Sequence, residues 1–507
     1  MEISITDLII IILYLVMVAL IGSLSGGKQK TTSDYFMGGK NVPWWAVSFS
    51  IVAAETSSLT FISIPGLAYI TNLNFLQLTV GFLIARVIVA IFFLPAYKKG
   101  ELSTAYTFLE NRFGIRTRRY ASSVFLVTRV AADGVRLFST AIPLAIIFKS
   151  TLIFASWSNF QIYILSIIVI TIISFTYTYT GGVKGVIWAD VLQMFIYIGG
   201  AFLAMGILIH SIPQSFNWQS ITEKLQIFNF DMGQSIGQFF SKPYTIIASL
   251  MGGIFLSMAS HGTDQLIVQR LLTTKTLKDS QKAIVGSGIM VIFQFALFLM
   301  VGIMLYIFFE GVSITDPTAP FHKADEIFPY FIIHYLPSGI KGIIIAGLFA
   351  AAMSTLAGSI SSLSSSAMID LYKPFFPDKI NPDRELKISR MLTIFWATIL
   401  TFVAFLFIQV QQSVVEIALG IASITYGGLL GTFLLGLFFK SVQQSAAIVG
   451  FSSGIVAMIF IILIPKFVAD SFLVHWTWYV FIGTSVTLLV GSLYQKIMPE
   501  IKKGVTM

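Results

Sequence analysis

Apolar runs long enough to cross a bilayer recur from Leu8 to Tyr494, and this feature restricts the fold more than any other. A membrane span needs ~20 mostly apolar residues. A backbone in hydrocarbon must also satisfy its own hydrogen bonds, which leaves helices or a closed barrel, and runs of this length read as helices. Only 11% of the residues are charged and 56% are hydrophobic, whereas a soluble protein carries about 25% charge. The surface cannot be mostly water-facing, so the 507 residues read as one membrane domain spanning 1–507. The net charge of +9 calls for no nucleic acid, because basic residues gather on one side of a membrane protein. With no cysteine there is no disulfide framework and no thiolate metal site. The histidines His210, His261, His322, His334 and His475 are scattered without ligand spacing. Glu2 and Asp7 precede the first run and the lysines follow it, so it reads as a retained helix rather than a signal peptide.

Gly, Pro, polar and basic clusters divide the runs into thirteen expected helices, at 6–25, 45–71, 75–97, 119–148, 157–178, 183–210, 243–271, 281–310, 338–371, 387–409, 414–438, 443–465 and 472–494. Basic residues set the expected orientation. With the loop after the first helix placed in the cytoplasm, most of the 32 Lys and Arg fall on that side. Lys149, Lys224, Lys242, Lys323, Lys341 and Lys466 fall outside, and Arg86, Arg129 and Arg136 lie at membrane depth. One helix more or fewer would destroy this asymmetry. An N-terminus outside and a cytoplasmic C-terminus are therefore expected, with the long outer segments 211–242 and 311–337 placed to cover an entrance.

Ionisable groups inside a membrane cost at least ~2.5–3.5 kcal/mol each, and here they cluster. The second helix carries Glu55 within Ala53-Ala54-Glu55-Thr56-Ser57-Ser58-Leu59-Thr60, and the fourth carries Arg129, Asp133 and Arg136 on one face. The sixth carries Asp190, the seventh Ser257, Ser260, His261, Gly262, Thr263 and Asp264, and the ninth a run of serines from Ser354 to Ser366. Arg129 and Asp133 also read as a structural ion pair one turn apart, His261 as a packed histidine, and the later serines as small residues for close packing. Asp190, about two turns past Gly181-Gly182, is expected near the cytoplasmic rim. Glu55 sits mid-span, where an opened helix would free carbonyls for a cation. The stretches Ala53–Thr60 and Gly252–Gly262 are the most helix-poor interruptions. They lie five helices apart, the offset that an inverted repeat with a midplane site requires. Sodium takes several oxygen ligands, and backbone near Ala53 and Thr56 facing Ser354 and Thr355 would supply them.

Five segments in order carry a resemblance. They are Asp34-Tyr35-Phe36-Met37-Gly38-Gly39-Lys40, Thr107-Phe108-Leu109-Glu110-Asn111-Arg112-Phe113-Gly114, the stretch from Tyr179-Thr180-Gly181-Gly182 to Trp188-Ala189-Asp190, Asp264-Gln265 with Val268-Gln269-Arg270, and Ala350-Ala351-Ala352-Met353-Ser354-Thr355-Leu356. Over nearly its whole length the chain resembles the sodium:solute symporter family, which includes bacterial sugar, proline and sialic acid symporters and animal sodium–glucose cotransporters. The resemblance implies an all-α polytopic membrane protein of about 13 transmembrane helices with a LeuT-type 5+5 inverted repeat. The repeats would be 45–210 and 243–438, with 6–25 an extra N-terminal helix and 443–494 two accessory helices. It implies alternating access, with sodium as the coupling ion and no other cofactor. The sodium ligands it implies are the carbonyls of Ala53, Thr56 and Ala351 and the hydroxyls of Ser354 and Thr355, with Asp190 on the sodium exit.

Ala357 and Gly358 stand where sialic acid symporters have the two serines of a second sodium site, so one sodium per cycle is expected. Ser361 replaces a frequent Asn of the family. The expected solute-lining set is Glu55, Ser57, Thr60, Phe75, Arg129, Ser257, Ser260 and Tyr426. Of these, Ser57, Thr60, Phe75 and Arg129 coincide with ligand-contacting positions of sialic acid symporters, where the arginine pairs with a carboxylate. Glu55 and Thr79 depart from that pattern, an acid at Glu55 resembles proline symporters, and Thr60 and Ser257 replace galactose-contacting residues of the bacterial sugar symporter. The expected partners are sodium, the lipid bilayer and a small polar solute: a sugar acid, amino acid, carboxylate or polyol. The expected location is a plasma membrane, the inner membrane of a bacterium. The alternatives are a proton-coupled carrier using Glu55, a passive channel, and a membrane-embedded enzyme, which would need Asp133 and Asp190 to meet.

Overall fold

A computed structural model describes residues 3–100, 102–149, 154, 156–213, 215–376, 381–408, 414–467 and 473–498, with the backbone alone for 58, 59, 143, 146, 147, 414–420 and 466. Lys379, Lys502 and Lys503 of the charge asymmetry, and the expected helix ends at 409 and 472, lie outside the described residues, as does the side chain of Lys466. Every regular element among the described residues is helical.

Nine helices there are long and apolar enough to cross a membrane, and two bent pairs bring the total to eleven. Two more spans emerge from geometry. The helix Asn159–Ser211 runs for 53 residues, ~80 Å if straight, more than twice a ~30 Å hydrocarbon core. It is broken at Gly182, where φ is 56°, a value open to glycine without a Cβ penalty. A Cβ on Gly185 would lie 3.3 Å from the Tyr177 carbonyl oxygen, whereas residues eight apart in a straight helix are ~12 Å apart. The chain folds back there, and one long helix is two spans. Ile115–Lys149 has 35 residues, long enough to cross a ~30 Å core although it holds Arg129, Asp133 and Arg136.

The thirteen spans are α1 (Ile5–Ser25), α2a and α2b (Trp44–Glu55 and Ser58–Ile70), α3 (Leu76–Lys99), α4 (Ile115–Lys149), α5 and α6 (159–181 and 183–211), α7a and α7b (Ile246–Gly262 and Gln265–Leu272), α8 (Leu277–Phe308), α9 (Ile340–Ser366), α10 (Pro382–Leu406), α11 (Val414–Phe438), α12 (Gln444–Phe467) and α13 (Tyr479–Ile497). Helix starts carry their own caps: Thr276 and Asp279 form a capping box on α8, and the Ser57 hydroxyl accepts from the Thr60 amide at the start of α2b. Each such cap stabilises a helix by ~1 kcal/mol.

The sequence misplaces one interruption. Gly252–Gly262 is continuous helix within α7a, and the break falls beyond it at Thr263 and Asp264. The glycines serve close packing instead. A Cβ on Gly253 would lie 2.4 Å from the Leu78 carbonyl oxygen, and one on Gly252 would strike Thr477. The α9 serines also find their reason here. In the stretch Ile340–Phe375, 94% of the most apolar window is buried, against 22% for α1. α9 is the central post of the molecule, and its hydroxyls meet protein rather than lipid.

Candidate ion and solute site

The α2 helix bends by 63° at its break. The α2a helix ends at Glu55, and Thr56 is extended with ψ 102°. Among the described residues no backbone amide donates to the Ala53 carbonyl, so this fully buried residue presents a bare oxygen. Buried carbonyls are rarely left so. The Thr56 hydroxyl donates to the Val52 carbonyl (2.8 Å) and accepts from the Gln294 amide. Across from it on α9, the Ser354 hydroxyl donates to Asp190 Oδ1 (2.6 Å) and Thr355 donates to the Ala351 carbonyl (3.2 Å). Both hydroxyls keep lone pairs for a cation.

Asp190 is not the solvated carboxylate that its place two turns from a helix end suggested. It is fully buried, and its carboxylate accepts from Ser50 of α2a, Ser354 of α9 and Arg270 of α7b (3.0 Å). A charge two turns from a helix end looks solvated in sequence, but neighbouring helices cover this one. The residue ties α2a and α9 to the second broken helix. Arg270 is the partner that the sequence reading missed.

Glu55 and Arg129 carry the other intramembrane charges, each with its own counter-ion. Arg86 of α3, fully buried, donates to Glu55 and to Ser287 (2.9 Å). The His261 ring lies on the other side, with Ser260 Oγ 2.8 Å and Ser257 Oγ 3.4 Å from its Nδ1. Those two serines, expected to line a solute, orient this ring. Arg129 donates to Asp264 at the α7 break, to Asp133 (3.4 Å) and to the Tyr426 hydroxyl (3.3 Å), and Tyr426 donates to Asp264 (2.7 Å). Asp133 also holds Arg136 (3.3 Å) and accepts from Ser359. Asp133 and Asp190 thus serve different clusters, and the carboxylate pair that an enzyme reading required does not form. Phe125, Arg129, Arg136, Asp264, Thr425 and Tyr426 line one cavity, and Glu55 is not among its lining. Of the remaining expected residues, Ser57 and Thr60 face each other across the α2b cap (3.4 Å), and Phe75 stacks on Phe295.

Below the break the eight residues of α7b are all buried and bound to α9 by a matched ladder. Gln265 donates to Ser365 (3.2 Å) and Gln269 to Ser361 (3.1 Å), four residues apart on each helix. Gln269 also donates to the Phe36 carbonyl (3.0 Å), and the Ala105 amide donates to Gln265 (2.9 Å). In this arrangement the second half of the α7 helix is sealed against α9.

The fold with its two broken helices matches known proteins. The sodium:solute symporter family model matches residues 35–454. The chain belongs to the sodium:solute symporter family. It is 26% identical to the sodium/sialic acid symporter SiaT of Proteus mirabilis over 95% of this chain and 92% of that one. It is 28% identical to the sodium/sialic acid symporter NanT of Aliivibrio fischeri over 95% and 91%. It is also 27% identical to the sodium/glucose cotransporter of Vibrio parahaemolyticus over 95% and 88%. The solved substrate-bound, outward-open state of a sodium-coupled sialic acid symporter superposes with a TM-score of 0.84, at 25% identity and covering 98% of both chains. This symporter is therefore a multi-pass membrane protein of LeuT-type fold that couples solute movement to sodium, and its relatives are transporters. At Gly358, one of the two positions without a side-chain oxygen, a Cβ would lie 2.6 Å from an Arg270 guanidinium nitrogen.

Proposed function

We propose that this symporter binds one sodium ion among the carbonyls of Ala53, Thr56 and Ala351 and the hydroxyls of Ser354 and Thr355, and moves a small polyhydroxylated solute, a sugar or sugar acid, with it. The bare Ala53 carbonyl at the α2 break carries the reading. It is a preformed oxygen ligand, opposite two hydroxyls, in a part of the chain where orphaned carbonyls are costly. Asp190 holds Ser50 and Ser354 in place and, as the ion leaves toward the cytoplasm, offers it a carboxylate. Arg270 beside Gly358 supports a single sodium per cycle. The charge asymmetry supports an N-terminus outside and a cytoplasmic C-terminus, and the bacterial relatives support an inner membrane. The two broken helices support inverted repeats over 45–210 and 243–438.

Sodium bound across α2 and α9 holds one side of the solute pocket, and the solute fills the space beside the breaks. In the sugar-acid case Arg129 takes the carboxylate, in competition with Asp264 and Asp133. Cytoplasmic opening then parts the Gln265–Ser365 and Gln269–Ser361 pairs. Proton coupling through Glu55 loses its basis, because Arg86 already occupies that carboxylate. Uptake of N-acetylneuraminate and D-glucose into proteoliposomes tests the reading. An inward sodium gradient is expected to drive accumulation, and Ser354→Ala with Thr355→Ala to abolish the sodium dependence. Uptake indifferent to sodium, or unchanged in the double variant, overturns it.

A further inference from the structure

A shallow groove of about 410 Å³ runs along the outer face of α12, from Ile448 through Ser452 and Val456 to Phe460. The inner face of the same helix is closed by α13, where Cβ atoms on Gly450 and Gly454 would lie 2.7 and 2.2 Å from Thr487. Val456 and Phe460 are exposed, so the rim of the groove is apolar and turned toward hydrocarbon. From Ile448 to Phe460 the helix rises ~18 Å. One leaflet, half of a ~30 Å core, has nearly that depth.

Cations gather at one end of this groove. The Tyr120 hydroxyl of α4 lies 2.8 Å from that of Ser452, and Arg116 precedes Tyr120 by one turn on the same face. A Cβ on Gly114 would lie 2.6 Å from Gln444 Nε2, so α4 and α12 begin side by side. There Arg112 donates to the Phe439 carbonyl (2.8 Å), and Lys440 is the next residue. Arg116 and Lys440 are exposed. Among the described residues no carboxylate pairs with these three cations, and Glu110 and Asp370 are both taken by Arg118. An acyl chain fits the groove and a phosphate fits its basic end. A second copy docking through this face in the same membrane would bring its own three cations against these. A zwitterionic lipid would bring an ammonium among them.

We propose that α12 and the start of α4 form a binding site for an anionic phospholipid, its acyl chain along the α12 groove and its phosphate among Arg112, Arg116 and Lys440. This site is separate from the ion and solute sites, and a lipid held there ties α4, which carries Arg129, to the accessory helix α12. Native mass spectrometry of the full-length protein in detergent, titrated with dioleoylphosphatidylglycerol or dioleoylphosphatidylcholine, tests it. Phosphatidylglycerol is expected to bind about tenfold or more tighter at low salt, a preference that shrinks at about 1 M salt. Arg116→Gln with Lys440→Gln, both at exposed positions, should bring the two affinities close together. Ala457→Trp fills the groove and should weaken phosphatidylglycerol about tenfold, the worth of roughly two buried methylenes. Where Ala457→Trp yields no folded protein, Ser453→Leu, also in the groove, reads the same quantity. Equal binding of the two lipids by the parent, or an unchanged preference in the Arg116 and Lys440 double variant, overturns the site. Phosphatidylglycerol binding that ignores the groove variants also overturns it, because surface charge alone then holds the headgroup. A parent dimer that Ala457→Trp dissociates, without any lipid preference, gives the face to a second copy and overturns it as well.

Discussion

The two broken helices bend by nearly the same angle, 63° in α2 and 59° in α7, but their breaks are finished in opposite ways. At the α2 break the neutral Ser57 hydroxyl caps the outgoing half. At the α7 break Asp264 caps α7b through the Leu266 amide (2.9 Å) while also holding Arg129 and Tyr426. The α2 break carries a neutral hydroxyl cap, and the α7 break a charged one tied into an ion-pair cluster. A bend of nearly one angle is thus finished by different chemistry in the two places.

This contrast can be broken from either side. The largest effect is expected at the sealed break: Asp264→Ala strands the buried Arg129 guanidinium and should lower stability by ~3–5 kcal/mol, read as a fall in Tm in detergent. A change below ~1 kcal/mol would show that Asp133 alone compensates Arg129. At the α2 break, Ser354→Ala with Thr355→Ala should weaken sodium by tenfold or more, about 1.4 kcal/mol at a given sodium concentration, beyond the fall in sodium-free Tm that follows from the lost Ser354 hydrogen bond to buried Asp190. If sodium still raises Tm as in the parent protein, the ion does not sit between α2 and α9. A smaller loss, ~1 kcal/mol, is expected for Ser57→Ala, which removes the Ser57 hydroxyl cap from α2b. Equal losses with and without sodium would separate this cap from the ion site.

The smallest effect concerns the outer cover of α7. His475 donates its backbone N–H to the Phe240 carbonyl (2.8 Å) just before Thr477 packs on Gly252. Burial pushes its imidazole down from 6.5 to about 4. Between those two values the unfolded chain binds a proton that the packed chain refuses, so stability is complete above pH ~6.5 and declines as pH falls toward 4. Thermal scans across that range should show a shallower decline in His475→Gln. Identical slopes would mean that this cover does not sense pH.

Much of the fold was legible. Runs of ~20 apolar residues between basic clusters marked thirteen spans because a bilayer imposes one length on every helix, and Gly181-Gly182 marked the reversal of α5 into α6. The α2 break was legible too, since Glu55 among hydroxyl residues has no other use in mid-span. The α7 break was displaced because Gly252 and Gly253 look like helix breakers in sequence, while the space they leave is filled by α3 and by Thr477. Arg86, Arg270 and Asp264 were present in the sequence as charges without partners. Nothing in their spacing joins Arg86 to Glu55, 31 residues away, or Arg129 to Asp264, 135 away.

The sequence by itself determined that the chain is a thirteen-helix membrane protein with an opened second helix and a Ser354-Thr355 pair. Hydropathy, charge asymmetry and local motif chemistry are all written in short stretches. Only the tertiary structure decided which charges neutralise each other. It buried Asp190 among Ser50, Ser354 and Arg270, and placed Arg129 against Asp264 and Glu55 against Arg86. Pairing at low dielectric depends on distances of a few ångströms between helices remote in the chain, and no local pattern encodes those.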